Sequence, residues 1–107
     1  MNNRWNNPQT NELIRAILKL KTAREARKFF RDLLTEDELM EFGKRWQAAR
    51  MLDVAVPYTK IVKQTGLSSR TIARISWWLE KGMGGYKLML ARLHHRTAPS
   101  RLSRQAS

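Results

Sequence analysis

Apolar residues recur every three or four positions along most of the chain, the period of helices with one buried face. The pattern is clearest between residues 58 and 79, where it predicts two short helices joined by a turn at Gly66-Leu67-Ser68. Gly66 suits the left-handed position that closes a helix, because it has no Cβ to clash. Ser68 is placed to cap the next helix by accepting one of its orphan amides. Ile61, Val62, Leu67, Ile72, Ile75 and Leu79 then form one inward seam across both helices. On the second helix Arg70, Ala73 and Arg74 share the side opposite Ile72, Ile75 and Leu79. This is the layout of a helix-turn-helix whose second helix enters the major groove of DNA. A plain helical hairpin with a solvated arginine face is the competing reading.

The remaining stretches are helical too. Residues 1–9 are polar around Trp5 and Pro8 and read as a flexible N-terminal arm. Thr10 or Asn11 is expected to cap a first helix carrying Leu13, Ile14, Ile17 and Leu18. Thr22-Ala-Arg-Glu25 is a capping box that opens a second helix, with Ala23, Ala26, Phe30 and Leu33 as its apolar face and Phe29 and Leu34 widening it. Lys28 and Arg31 lie off that face, as solvated residues would. Thr35-Glu36-Asp37-Glu38 is a second box, and its carboxylates suit the positive end of the helix dipole. The long third helix carries Leu39, Phe42, Trp46 and Ala49, extended by Met51 and Leu52, with Glu41 and Arg45 spaced for an ion pair. Pro57 ends it. After the break at Lys81-Gly82-Met83-Gly84-Gly85, a last helix carries Tyr86, Met89, Leu90 and Leu93.

No strand pattern or repeat is present, so the fold class is all-α, with about six helices over residues 10–95 and a flexible basic tail over 96–107. Apolar faces such as Phe29 with Phe30 and Trp77 with Trp78 exceed what one small domain can bury, which points to a helix-swapped homodimer.

Charge narrows the partner. Twenty-one Lys and Arg against nine Asp and Glu give the 107-residue chain a net charge of +12. Such a balance favours a polyanion and a salt-sensitive affinity. The absence of cysteine excludes disulfides and thiolate chemistry and suits a reducing cytoplasm. No apolar run reaches the roughly 18 residues of a membrane span. The chain shows no nucleophile–base constellation and no phosphate loop, so no catalytic residue and no cofactor are assigned and an enzyme is not expected. His94 and His95 are adjacent and diverge, a poor metal pair, so no metal site is assigned.

With these elements placed, the chain resembles the Trp repressor (TrpR) superfamily. Leu33-Leu34-Thr35-x-Asp37-Glu38, Gly43 and Arg45, then Gly66 and Thr71-Ile72-x-Arg74 follow the repressor's order and spacing. The likeness covers roughly residues 13 to 93 and is nearest the TrpR-related YerC/YecD group. It implies a TrpR-like intertwined homodimer with two reading heads on a palindromic operator. It also implies a vestigial effector pocket. Thr35, Arg45 and Arg74 match positions that surround the corepressor in that family. Ile75 stands where the repressor has a glycine beside the indole, and Trp78 where it has a serine near the amino group. Control by tryptophan is therefore not expected.

The expected function is a sequence-specific DNA-binding transcriptional regulator, a repressor acting by occupation of a promoter. Ser69, Arg70, Ala73 and Arg74 would lie nearest the bases, and Lys60, Lys63, Gln64, Ser68 and Thr71 at phosphate or the groove edge. Arg96, Arg101 and Arg104 of the tail would add sequence-independent phosphate contacts. Two alternatives stand beside this: a basic RNA-binding or ribosome-associated protein, and a TrpR-like repressor sensing a different small ligand.

Overall fold

The computed structural model describes residues 3–97, with side chains through His94. Of the tail expected over 96–107, residues 96 and 97 instead continue the last helix, while residues 98–107 and the side chains of Arg96, Arg101 and Arg104 lie outside the described residues. Six helices follow in order: α1 (Pro8–Ile17), α2 (Ala23–Leu33), α3 (Glu36–Asp53), α4 (Tyr58–Thr65), α5 (Ser69–Lys81) and α6 (Gly85–Thr97). No strand occurs among the described residues. The chain forms two compact units, one ending at Met40 and the other beginning at Glu41.

In the first unit the helix starts are set by side-chain caps. The cap of α1 is Asn7, not Thr10 or Asn11: its carboxamide oxygen accepts the Thr10 amide at 2.8 Å. Pro8 therefore begins a helix rather than breaking the chain, since the first helical position needs no N–H donor and the ring presets φ. The Thr22 hydroxyl accepts the Glu25 amide, as its spacing predicts. The return bond differs from a standard box, because Glu25 Oε1 accepts the amide of Lys21 rather than that of Thr22. At α3 the box is reciprocal: the Thr35 hydroxyl accepts Glu38 N–H, and Glu38 Oε1 accepts Thr35 N–H. The α2 stripe is only half realised. Ala26, Phe29 and Phe30 are half-buried, Leu33 is exposed, and α1 and α2 contain no fully buried residue.

The second unit holds the core. Ala48 and Ala49 of α3 pack with Ile61 of α4, Leu67 of the turn, and Ile72 and Ile75 of α5. Trp46, Met51, Leu52, Val62 and Tyr86 close around them. Small alanines let the backbones approach closely, and the β-branched isoleucines fill the space between. Phe42, expected on the inward face of α3, is largely exposed, as is Met89 of α6, whereas Leu90 is buried.

The end of α3 carries a left-handed residue that is not glycine. Ala55 has φ 62°. Val56 N–H donates to Met51 O at 3.0 Å and Ala55 N–H to Leu52 O at 3.0 Å, the two bonds of a Schellman motif. Pro57 follows and starts α4.

Candidate nucleic-acid interface

The turn between α4 and α5 forms as the sequence predicts. Gly66 adopts φ 77° and its N–H donates to Val62 O at 2.9 Å. Ser68 then caps α5, its hydroxyl accepting Thr71 N–H at 3.1 Å. The same hydroxyl and that of Thr71 lie 3.1 Å apart. The seam is inward as expected: Ile61, Ile72 and Ile75 are fully buried, and Leu67 and Leu79 nearly so.

One residue of this turn escapes a reading of the sequence. Thr65 is only 4% exposed. Its hydroxyl donates to Ile61 O at 2.7 Å and accepts Leu67 N–H at 3.1 Å. A single oxygen thereby ties the last turn of α4 to the chain beyond Gly66. The threonine at the helix end was its only sequence signal, and threonines at helix ends are common.

The residues expected at a groove lie on the outer side. Lys60, Lys63, Gln64, Ser68, Ser69, Arg70, Ala73 and Arg74 are all exposed, and Thr71 is half-buried. Between Val54 and Leu79 the chain has four cations, Lys60, Lys63, Arg70 and Arg74, and no Asp or Glu. The ion pairs found among the described residues are Arg15–Glu12, Arg45–Glu41, Lys87–Glu80 and His94–Asp53, and none takes up one of these four. These four cations of the α4–α5 face are therefore held in no ion pair among the described residues. A surface of this kind attracts a polyanion at a distance and presents fixed donors on arrival.

The residues matched to an effector pocket fall in separate settings. Thr35 belongs to the first unit and caps α3. Arg45 lies 3.5 Å from Glu41 and beside the Phe42 ring, 5.8 Å from its centroid. With Phe42, Trp46 and Tyr86 it lines a shallow cleft of about 280 Å³. Tyr86 stacks on Trp46 there with ring centroids 6.2 Å apart. Burial pushes its phenol pKa up, and the Arg45 charge partly offsets the shift. Ile75 is wholly taken up by the core, and Arg74 stands over Trp78 on α5, 5.4 Å from its ring centroid. Neither Ile75 nor Trp78 lines the cleft that holds Arg45.

Comparisons with known proteins agree with this architecture. The family model described as Trp repressor protein matches residues 8–94. The Bacillus subtilis protein YerC is 36% identical over 85 residues, spanning 79% of this chain and 82% of its own length. The crystal structure of a TrpR-like protein from Eubacterium eligens superposes with a TM-score of 0.81 at 36% identity, covering 86% of this chain and 95% of that one.

Proposed function

The chain belongs to the Trp repressor family, and from that premise we propose that it is a sequence-specific DNA-binding regulator that represses by occupying a promoter. The observation that carries this reading is the α4–α5 face of a capped helix-turn-helix, with four cations and no Asp or Glu between Val54 and Leu79. In the proposed mechanism α5 enters the major groove, where Arg70 and Arg74 donate paired N–H groups to base edges. Ser69 and Ala73 sit close to the bases, while Lys60, Lys63, Gln64, Ser68 and Thr71 hold phosphate and set the register.

The working form is an intertwined homodimer, whose two-fold symmetry would be met by a palindromic operator with half-sites about 34 Å apart. Its support is apolar surface that one chain leaves uncovered. Leu18 is 76% exposed and Trp77 59%. In the second unit a groove of about 650 Å³ is walled by Trp46, Met51, Leu90 and Leu93 among others. Water against such surfaces is costly, and a second copy removes it. No helix among the described residues is long and apolar enough to cross a membrane.

Free tryptophan is not the effector in this reading. Ile75 occupies interior space with its own side chain, and the Trp78 indole already lies against Arg74. The α5 surface is thus ordered by residues of the chain itself.

Selection of bound sites from random duplex DNA tests the proposal. A palindrome is expected, and equal retention of folded RNA and unrelated duplex would refute sequence-specific DNA binding. Light scattering at micromolar concentration should give a dimer. Millimolar L-tryptophan should leave the affinity for the selected duplex unchanged, whereas a tenfold tightening, about 1.4 kcal/mol of coupling, would overturn the effector-free reading.

A further inference from the structure

Arg74 and Trp78 lie four residues apart on α5, so their side chains meet one turn apart on the same face. The Arg74 guanidinium carbon is 5.4 Å from the centroid of the Trp78 ring, within cation–π range. No ion pair engages Arg74 among the described residues. Trp78 is 37% exposed, so its ring is partly covered by the fold while remaining within reach of the helix surface. The backbone beneath it is held as well, because Trp78 O accepts Gly82 N–H at 2.8 Å. A Cβ at Gly82 would collide with that carbonyl, so glycine is required for the helix to end there.

An arginine on an open helix face samples many rotamers and loses that freedom when it binds. Stacking on an aromatic ring restricts those rotamers and uses the π face of the guanidinium, leaving its in-plane N–H fork for a hydrogen-bonding partner. We propose that Trp78 is a positioning residue for Arg74: the indole holds the guanidinium in a narrow range of orientations before DNA arrives. The inference rests on the proposal that α5 reads a groove. It adds a specificity-determining residue that itself touches no base. The chain would supply from its own sequence the flat aromatic surface that orders its reading side chain.

A double-mutant cycle on the full chain tests this, with affinities measured for the selected duplex and for an unrelated one. Helical content and melting are checked for each variant. Trp78→Leu should weaken the selected duplex two- to fivefold per reading head, the range of an exposed cation–π contact. Trp78→Phe, which keeps a ring, should recover most of the loss. In the Arg74→Ala background Trp78→Leu should cost nothing further, because the group it positions is gone. Where Trp78→Leu fails to fold, Trp78→Met removes the ring at similar bulk. An equal loss in both backgrounds would show that Trp78 acts through stability or direct contact, and would overturn the positioning role alone. Wild-type affinity in Arg74→Ala would remove Arg74 from the reading face and the positioning role with it. Failure of the wild-type chain to prefer any duplex would instead overturn the DNA-binding reading on which both depend.

Discussion

Replacing Thr65 by valine is the sharpest test of how the turn before α5 is held. The side chain keeps its shape, and a buried hydroxyl becomes a methyl. By hydrophobic transfer alone the change should be neutral or stabilising. The structure gives the opposite sign. Thr65 Oγ1 bonds to Ile61 O at 2.7 Å and to Leu67 N–H at 3.1 Å. Leu67 is itself only 6% exposed, so water cannot take over its amide. An unpaired buried donor costs roughly 1–3 kcal/mol, and that penalty should dominate. Thr65→Ser is the control. It keeps the oxygen and deletes one methyl, at about 0.8 kcal/mol. Urea unfolding followed by tryptophan fluorescence, at one fixed protein concentration, compares the three proteins. Thr65→Val should unfold at lower urea than Thr65→Ser with an unchanged slope. Its melting temperature should fall by about 4–8 °C per kcal/mol lost. Thr65→Val as stable as wild type, or more stable than Thr65→Ser, would refute the hydroxyl as the tie between α4 and the turn.

Arg70→Ala should lose about 1–3 kcal/mol of discrimination for the selected site per reading head, measured as the affinity ratio between selected and random duplex. Ala55 has φ 62°, where an L side chain strains the backbone by about 1–2 kcal/mol. Ala55→Gly should relieve that strain, and after the added unfolded-chain entropy of roughly 0.4–1 kcal/mol a small net gain is expected in thermal melting. Tyr86 has a folded pKa above its ordinary value of 10.0. Below about pH 10 both folded and unfolded chains keep the phenol protonated; above it the unfolded chain releases the proton first. Stability should therefore decline as pH rises past 10, and Tyr86→Phe should flatten that part of a pH–stability profile.

Much of the architecture follows from local chemistry, which is why the sequence alone determined it. Gly66 and Ser68 specify their turn through φ and a hydroxyl that caps an amide three residues on, with no contribution from distant residues. The seam from Ile61 to Leu79 follows from helical periodicity, and it is buried as the spacing requires. The reciprocal box of Thr35 and Glu38 is also local. Tertiary structure decided whatever depended on competition between equivalent residues. The choice of Asn7 over Thr10 and Asn11 as cap was not among these, since the adjacent proline at position 8 set it locally. Phe42 and Ala48 both lie on α3, yet close approach to α4 and α5 selects the alanine as buried and leaves the phenylalanine exposed. Thr65 becomes a buried tie because packing removes it and Leu67 from water while its hydroxyl bonds Ile61 O and Leu67 N–H. The candidate site divides the same way. Its cations are legible in composition and spacing, but the pairing of Arg74 with Trp78 is a rotamer choice on α5. A periodic pattern places two side chains on one face, and only their packed surroundings decide whether they touch.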